Sequence, residues 1–175
     1  ALYWCYDIPS GLTSWQIGNG DLGRLADNLH MDPMPPGEII RYWRGRLLVA
    51  SGNTILFSEP VRFGINDTRH GFIKYPADVV LMEPVTGGVF VGTRLGSGVE
   101  FLQGNSPQEL TRIRTGNGVP QPYTGTNIPS TEFGDGIGQS DANVAVWFSD
   151  QGIALGLPDG SVQEPQSGRN SLPLI

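Results

Sequence analysis

Residues 44–60 read RGRLLVASGNTILFSEP, and this stretch decides the predicted fold. Two apolar runs, Arg46 to Ala50 and Thr54 to Ser58, flank the sequence Ser51-Gly52-Asn53, which predicts a β-hairpin. Gly52 can adopt the positive φ that a tight turn between twisted strands requires. Because a lone hairpin is at best marginally stable in water, further strands must cover it.

The same pattern of apolar runs around a glycine-containing turn returns along the chain. The copies are Val89–Val91 with Val99–Leu102, Val144–Phe148 with Ile153–Leu157, and the strand Leu2–Tyr6 before a turn at residues 9–11. In chain order the first strands begin at Leu2, Arg46, Val89 and Val144, which are about 44, 43 and 55 residues apart. This is the spacing of propeller blades if the last interval holds an insertion. We therefore predict an all-β fold of β-propeller-like repeats of antiparallel strands, about three to four blades or partial blades, with few or no helices.

Proline and glycine segments divide the chain. The sequence MDPMPPG at residues 31–37 contains three prolines and predicts a linker. The apolar run Val79–Met82 predicts a buried inner strand of the next unit, and Glu109–Thr115 an exposed outer strand. The predicted units are a partial blade at 1–30, the linker at 31–37, a blade at 38–86, a blade at 87–115, a Gly/Pro/Ser-rich insertion loop at 116–142, a partial blade at 143–162 and a tail at 163–175.

The composition limits the classes of function. The 175 residues include 25 glycines and 14 prolines, which suits many short strands joined by turns. The net charge of −6 argues against broad nucleic-acid binding, because such affinity comes largely from clustered Lys and Arg. No apolar run approaches the 18 or so residues of a membrane span. A chain that begins inside a repeat is also expected to be a piece of something longer.

A few cationic and aromatic side chains are candidates for interaction. Arg41, Arg44 and Arg46 flank one strand and form a candidate anion site, and the alternative is that they are solvated or paired with Glu38 and Glu59. Exposed aromatics could bind sugars or a partner protein, and core packing is the alternative. The interaction candidates are Arg41, Arg44, Arg46, Trp15 and Trp43.

No motif predicts catalysis, a cofactor or a metal site. Cys5 is the only cysteine, so the chain has neither an intrachain disulfide nor a cysteine-rich zinc site. Phosphate-binding loops, metal-ligand spacings and EF-hand patterns are absent from the sequence. Asp150 and Asp159 precede turn glycines, where aspartate ordinarily accepts hydrogen bonds from turn amides. We therefore predict a protein that is not an enzyme.

The central stretch resembles a known class of repeats. The sequences Tyr42–Ala50, Ile55–Pro60 and Gly88–Thr93 are similar to the blades of phage and prophage virion proteins, notably β-propeller proteins of the tail nozzle, plug or neck. The likeness covers roughly residues 38–115 and, more loosely, 143–160. It implies a structural virion role, with other virion proteins or further copies of the chain as partners and with propellers around a channel or decorating a tail. An acidic channel would let DNA pass without binding it.

Two other functions remain open. The first is a carbohydrate- or receptor-binding propeller fragment. The second is a sialidase-like glycoside hydrolase. Ser149-Asp150-Gln151-Gly152 resembles the Asp-box turn of sialidase-like propellers, which supports a blade turn and gives no evidence for hydrolase activity. That turn is structural, and here the residue between Ser and Asp and the closing Trp are missing. A glycosidase also needs two carboxylates on facing elements, and the sequence identifies no such pair.

Overall fold

A computed structural model describes residues 30–95, 98–116, 118–133 and 142–164. The chain divides into two compact units, Ala1–Met31 and Asp32–Ile175, and nearly all described residues belong to the second. The predicted partial blade at 1–30 lies outside the described residues, apart from His30.

The described residues form β-strands and two short 3-10 helices, Pro107–Glu109 and Ser130–Phe133, and no α-helix occurs among them. In chain order the strands are β1 (Met31–Pro33), β2 (Ile39–Trp43), β3 (Arg46–Ser51), β4 (Thr54–Phe57), β5 (Ile65–Asp67), β6 (Phe72–Lys74), β7 (Val79–Val85), β8 (Gly88–Thr93), β9 (Val99–Gln103), β10 (Thr111–Gly116), β11 (Thr126–Pro129), β12 (Asn143–Ser149), β13 (Gly152–Gly156) and β14 (Val162–Gln163).

Twelve of these strands form three four-stranded antiparallel sheets. The first sheet has the order β2-β3-β4-β6, the middle sheet β7-β8-β9-β10 and the third sheet β11-β12-β13-β14. Strands β1 and β5 form a separate two-stranded sheet beside them. The prediction of an all-β fold with repeated antiparallel strands is confirmed.

The predicted central hairpin is β3 and β4. Its register pairs Leu48 with Phe57 and Ala50 with Ile55. Gly52 in the turn has a φ of 55°, the left-handed conformation that glycine adopts without strain. The predicted hairpins in the later copies correspond to β8 with β9 and β12 with β13.

The sheet boundaries differ from the predicted units. Strand β7 pairs with β8, so the boundary between the first two sheets lies between Lys74 and Val79, inside the unit predicted at 38–86. The predicted linker at 31–37 contributes β1, and the predicted tail begins within β14. The interpretation of Val79–Met82 as a strand of the next unit agrees with the observed pairing.

The predicted insertion loop at 116–142 contains a regular strand. Residues Thr126–Pro129 pair with Val146–Asn143 of β12 and form the first strand of the third sheet. The sequence TNIP gives no strand signal, because it has one aliphatic residue and ends in proline. An edge strand tolerates proline at its end, and β11 is such a strand.

Two apolar clusters hold the three sheets together, one on each face of the middle sheet. Between the first and middle sheets lie Ile39, Trp43, Leu48, Ala50, Ile55, Phe57, Tyr75, Val79, Met82, Val89, Val91 and Leu102. Between the middle and third sheets lie Leu81, Val85, Phe90, Val99, Phe101, Ala145, Trp147 and Ala154. The ring of Phe90 lies 4.8 Å from that of Phe101 and 5.4 Å from that of Trp147 between ring centroids. Strands β7 and β8 of the middle sheet are therefore covered on both faces, whereas most of β10 at its edge is exposed.

Candidate functional site

The first strands of the three sheets meet at an ion pair. Strand β2 contacts β7, and β7 contacts β11. Nε of Arg41 on β2 donates to both carboxylate oxygens of Glu83 on β7, at 3.1 and 3.0 Å. Its Nη2 donates to the same carboxylate and, at 3.2 Å, to the carbonyl oxygen of Gly125, just before β11. One guanidinium thus connects all three sheets.

Burial makes this ion pair important for stability. The Glu83 side chain is 1% exposed, whereas that of Arg41 is 33% exposed. A buried carboxylate is costly unless it is paired and hydrogen-bonded, and a guanidinium fork satisfies it with good geometry. The hydrogen bond to Glu83 raises the pKa of Arg41. A Cβ at position 125 would lie 2.5 Å from Oε1 of Glu83, so only glycine lets this backbone approach the pair.

A depression of about 220 Å³ lies beside the ion pair. Its polar lining comes from Glu38, Arg41, Glu83 and Tyr123. Tyr123 has a φ of 61°, an outlier for a bulky residue, and its amide donates to the Val80 carbonyl at 3.0 Å. Since Nη1 of Arg41 also donates to a backbone carbonyl, this guanidinium is engaged within the protein rather than offered to a ligand.

Arg44 joins the first sheet to loops of the middle sheet. Its Nη1 donates to Oδ1 of Asn105 at 2.6 Å, and its Nη2 donates to the carbonyl of Thr86 at 2.8 Å. Its guanidinium carbon also lies 5.8 Å from the ring centroid of Trp43. These contacts hold the β2–β3 turn against the loops of the middle sheet that contain Thr86 and Asn105.

Arg46 has partners within its own sheet. Its Nη1 donates to the carbonyl of Ser58 at 2.7 Å and lies 3.9 Å from a carboxylate oxygen of Glu59. The predicted pairing with Glu59 is confirmed for this arginine, whereas Glu38 accepts from the amide of Gly52 instead. The three arginines therefore bind different acceptors, and this arrangement favours the paired alternative over a shared anion site.

Of the two candidate tryptophans, the described residues include only Trp43, which is buried. Trp43 is only 3% exposed and lies 6.5 Å from Phe57 between ring centroids, so it belongs to the core rather than to an interaction surface. Trp15 lies outside the described residues. The exposed aromatic of this region is Tyr42, which is 63% exposed and makes an edge contact with Phe63 at 6.1 Å.

Asp159 has the predicted role of accepting from a turn amide, whereas Asp150 accepts from an amide in a distant segment. Oδ1 of Asp159 accepts from the amide of Ser161 at 2.9 Å, which closes its own turn. Oδ1 of Asp150 accepts from the amide of Val119 at 2.7 Å and so holds the segment that leads from the middle sheet to the third.

The outer face of the first sheet carries an apolar row that sequence reasoning missed. The register places Ile40, Val49, Leu56 and Phe72 side by side across its four strands. Ile40 and Phe72 are exposed, and Leu56 is half-buried. The signal was present as alternation along β2, where Ile39, Arg41 and Trp43 face the middle sheet, and Ile40 and Tyr42 face away.

The third sheet has a comparable outer face. Phe148 pairs with Ile153, and Val146 pairs with Leu155, on the side opposite Trp147. Phe148 and Ile153 are exposed. We call these two outward surfaces the end faces: Ile40, Tyr42, Leu56 and Phe72 on the first sheet, and Val146, Phe148 and Ile153 on the third sheet.

Comparison with known proteins gives no family. No protein-family model matches the chain, and a search of curated proteins finds no match.

Two further tests concern metals and membranes. Among the described residues, no group of three or more His, Cys, Asp or Glu side chains could hold a metal ion. Nor do the described residues include a helix of the length and apolar character that a bilayer span requires.

Proposed function

We propose that the chain is a structural component of a phage or prophage virion, built on β-propeller-type repeats, and that its role is assembly rather than catalysis. The observation that carries the proposal is the contrast between strands β7 and β8 of the middle sheet, which are buried on both faces, and the two exposed apolar end faces. The three successive four-stranded antiparallel sheets support this proposal, because neighbouring propeller blades are also four-stranded sheets.

The meeting of the first strands supports the same interpretation. In a propeller the first strands of the blades surround the central channel, and here β2, β7 and the start of β11 converge on the Arg41–Glu83 pair. The three sheets formed by the described residues leave such a ring open, so further sheets would have to cover the end faces. Other virion proteins or further copies of this chain would supply them.

Exposed apolar area of this kind is typical of interaction surfaces. Large apolar patches are uncommon on monomeric soluble proteins and usually mark partner sites. On the first sheet the row of Ile40, Val49, Leu56 and Phe72 is in register across the four strands, and all of it except the buried Val49 is at least partly accessible, so a flat partner sheet could lie over it. The overall charge of −6 is compatible with a channel through which DNA passes without binding.

Light scattering coupled to size exclusion tests the assembly role. We expect the chain to form a defined oligomer, and Phe72→Lys on the first end face to dissociate it, because a lysine would be buried in an apolar interface. The matched control is Ile113→Lys, which places the same charge at an exposed apolar position on the edge strand of the middle sheet. A monomeric chain whose state neither substitution changes would contradict self-assembly.

The virion assignment needs its own measurement. Mass spectrometry of purified particles should find the chain in the tail or neck fraction. Its absence from every particle fraction would contradict a virion role and leave the assembly role standing.

A carbohydrate- or receptor-binding role is the second candidate. The exposed pair Tyr42 and Phe63 favours it, because aromatic rings at a surface can stack on sugars or anchor a partner. Binding on a glycan array that Tyr42→Ala abolishes would support this role. A panel of fluorogenic glycosides tests the remaining possibility of hydrolysis, and we expect no turnover.

A further inference from the structure

A cavity of about 170 Å³, partly open to solvent, lies between the first and middle sheets, near their outer strands. It is distinct from the depression beside Arg41 and from both end faces. One water needs roughly 10–15 Å³ of such space, so the cavity has room for a larger molecule. Its lining comprises Tyr75, Pro76, Val91, Thr93, Glu100 and Arg114.

Two polar atoms in this lining have no partner in the protein. Tyr75 is 5% exposed, and its hydroxyl makes no hydrogen bond. Oε2 of Glu100 is buried and also has no hydrogen-bond partner. Buried polar atoms are nearly always satisfied, so two unsatisfied atoms on one cavity point to a molecule that binds there.

The charges around the cavity are mixed. Glu100 on β9 lies directly opposite Arg114 on β10 in the strand register, and the Arg112 guanidinium lies 4.5 Å from the ring centroid of Tyr75. The carboxylate disfavours an anion, and the guanidinium groups disfavour a cation. This balance selects a neutral ligand.

Tyr75 supplies a donor as well as an acceptor. Burial raises the pKa of its hydroxyl, with the Arg112 guanidinium opposing the shift and the Glu100 carboxylate adding to it, so the group stays protonated at neutral pH. The Glu100 oxygen can only accept while it is ionised. The ligand must therefore both donate and accept, as an alcohol does.

We propose that this cavity binds a compact neutral polyol, such as one monosaccharide unit, through the Tyr75 hydroxyl and the Glu100 carboxylate. The hydroxyls of a polyol match both polar atoms, and Val91 and Pro76 provide an apolar wall for its C–H groups. This site goes beyond the proposed assembly role, since assembly uses the outward faces of the stack.

Saturation-transfer NMR on the full chain with a panel of monosaccharides tests the proposal. We expect at least one sugar to bind with a Kd on the order of 1 mM, and Tyr75→Phe or Glu100→Gln to weaken it roughly tenfold each. Tyr123→Phe and Glu109→Gln are matched controls at exposed positions outside the cavity, and both should leave binding unchanged.

Thermal unfolding of each variant separates binding from folding. Tyr75→Phe keeps the buried ring and removes only the unpartnered hydroxyl, so it should fold at least as well as the parent chain. If Glu100→Gln fails to fold, Tyr75→Phe alone decides the question. No transfer to any sugar at about 50 mM would mean that the cavity holds only water, and binding that Tyr75→Phe leaves intact would place the sugar elsewhere; either result overturns the proposal.

Discussion

The middle sheet and its two neighbours share one topology but differ in burial. Every residue of β7 and β8 is buried, whereas β2 alternates between buried and exposed positions. The sequences record the difference, because VVLMEPV is nearly continuous in apolar residues and IIRYW holds Arg41 and Tyr42 between its apolar ends. A sheet covered on both faces and a sheet covered on one face are thus distinguishable within a single chain.

The largest expected effect contrasts two phenylalanines. Phe90 in the middle sheet is fully buried against Phe101 and Trp147, whereas Phe148 on the end face of the third sheet is 54% exposed. We expect Phe90→Ala to lower the free energy of unfolding by about 3–5 kcal/mol, because it leaves a cavity in the core. Phe148→Ala should change that of the monomer by less than about 0.5 kcal/mol.

Urea denaturation at a concentration where the chain is monomeric measures both values. Light scattering on the same samples checks the state of association, since an oligomer would cover Phe148. Equal losses in the free energy of unfolding at the two positions in a monomer would show that something within the chain covers the end face of the third sheet. The proposed difference in burial between the middle and third sheets would then be wrong.

The next effect concerns the ion pair that joins the sheets. Glu83→Gln would leave the Arg41 guanidinium without its counter-charge in a mostly buried site. We expect a loss of about 2 kcal/mol in the free energy of unfolding, less than for fully buried pairs because water screens the exposed third of the Arg41 side chain.

A double-mutant cycle with Arg41→Met sharpens this prediction. The two single variants should each be less stable than the parent chain, and the double variant should recover part of the loss, because neither charge is then left alone. Additive losses would mean that the two side chains do not interact, and the pair would not connect the sheets.

The sequence predicted the local features and missed those that depend on distant pairing. The hairpins β3–β4, β8–β9 and β12–β13 were predictable, because each hairpin, with both strands and the turn, lies within a short stretch of sequence: 46–57, 88–103 and 143–156. Thr86-Gly87 was taken as a boundary between units, yet it is the turn between β7 and β8. A glycine turn has the same local signal whether it joins strands of one sheet or two successive sheets.

The candidate site was less predictable for the same reason. Arg41 was identified as a candidate, but its partner Glu83 lies 42 residues further along the chain, in an apolar run. A lone carboxylate in a predicted buried strand is itself a signal, because such a residue needs a cationic partner. The spacing of residues along the chain could not say which of the arginines that partner would be.

The smallest effect concerns an ion pair within one loop. Asp67 accepts from Arg69 through both carboxylate oxygens, with Nε at 3.1 Å and Nη2 at 3.0 Å, and also accepts from the Arg69 amide at 2.9 Å. These hydrogen bonds lower the pKa of Asp67 from 3.8 to about 2. Because the Arg69 side chain is half-exposed, water screens the pair and the gain in stability is small.

The sign of this effect follows from the lowered pKa. The ionised carboxylate is favoured in the folded state, so its contribution is complete above about pH 4 and is lost as the pH falls towards about 2. Asp67→Asn should therefore be less stable than the parent chain above about pH 4, and the difference should disappear below about pH 2. Urea denaturation at steps across this range measures it. Arg69→Ala should give the same pH-dependent difference in the free energy of unfolding, since it removes the other side chain of the pair. If the free energies of parent and variant instead differ by the same amount at every pH, this loop pair contributes nothing to stability, unlike the pair between Arg41 and Glu83.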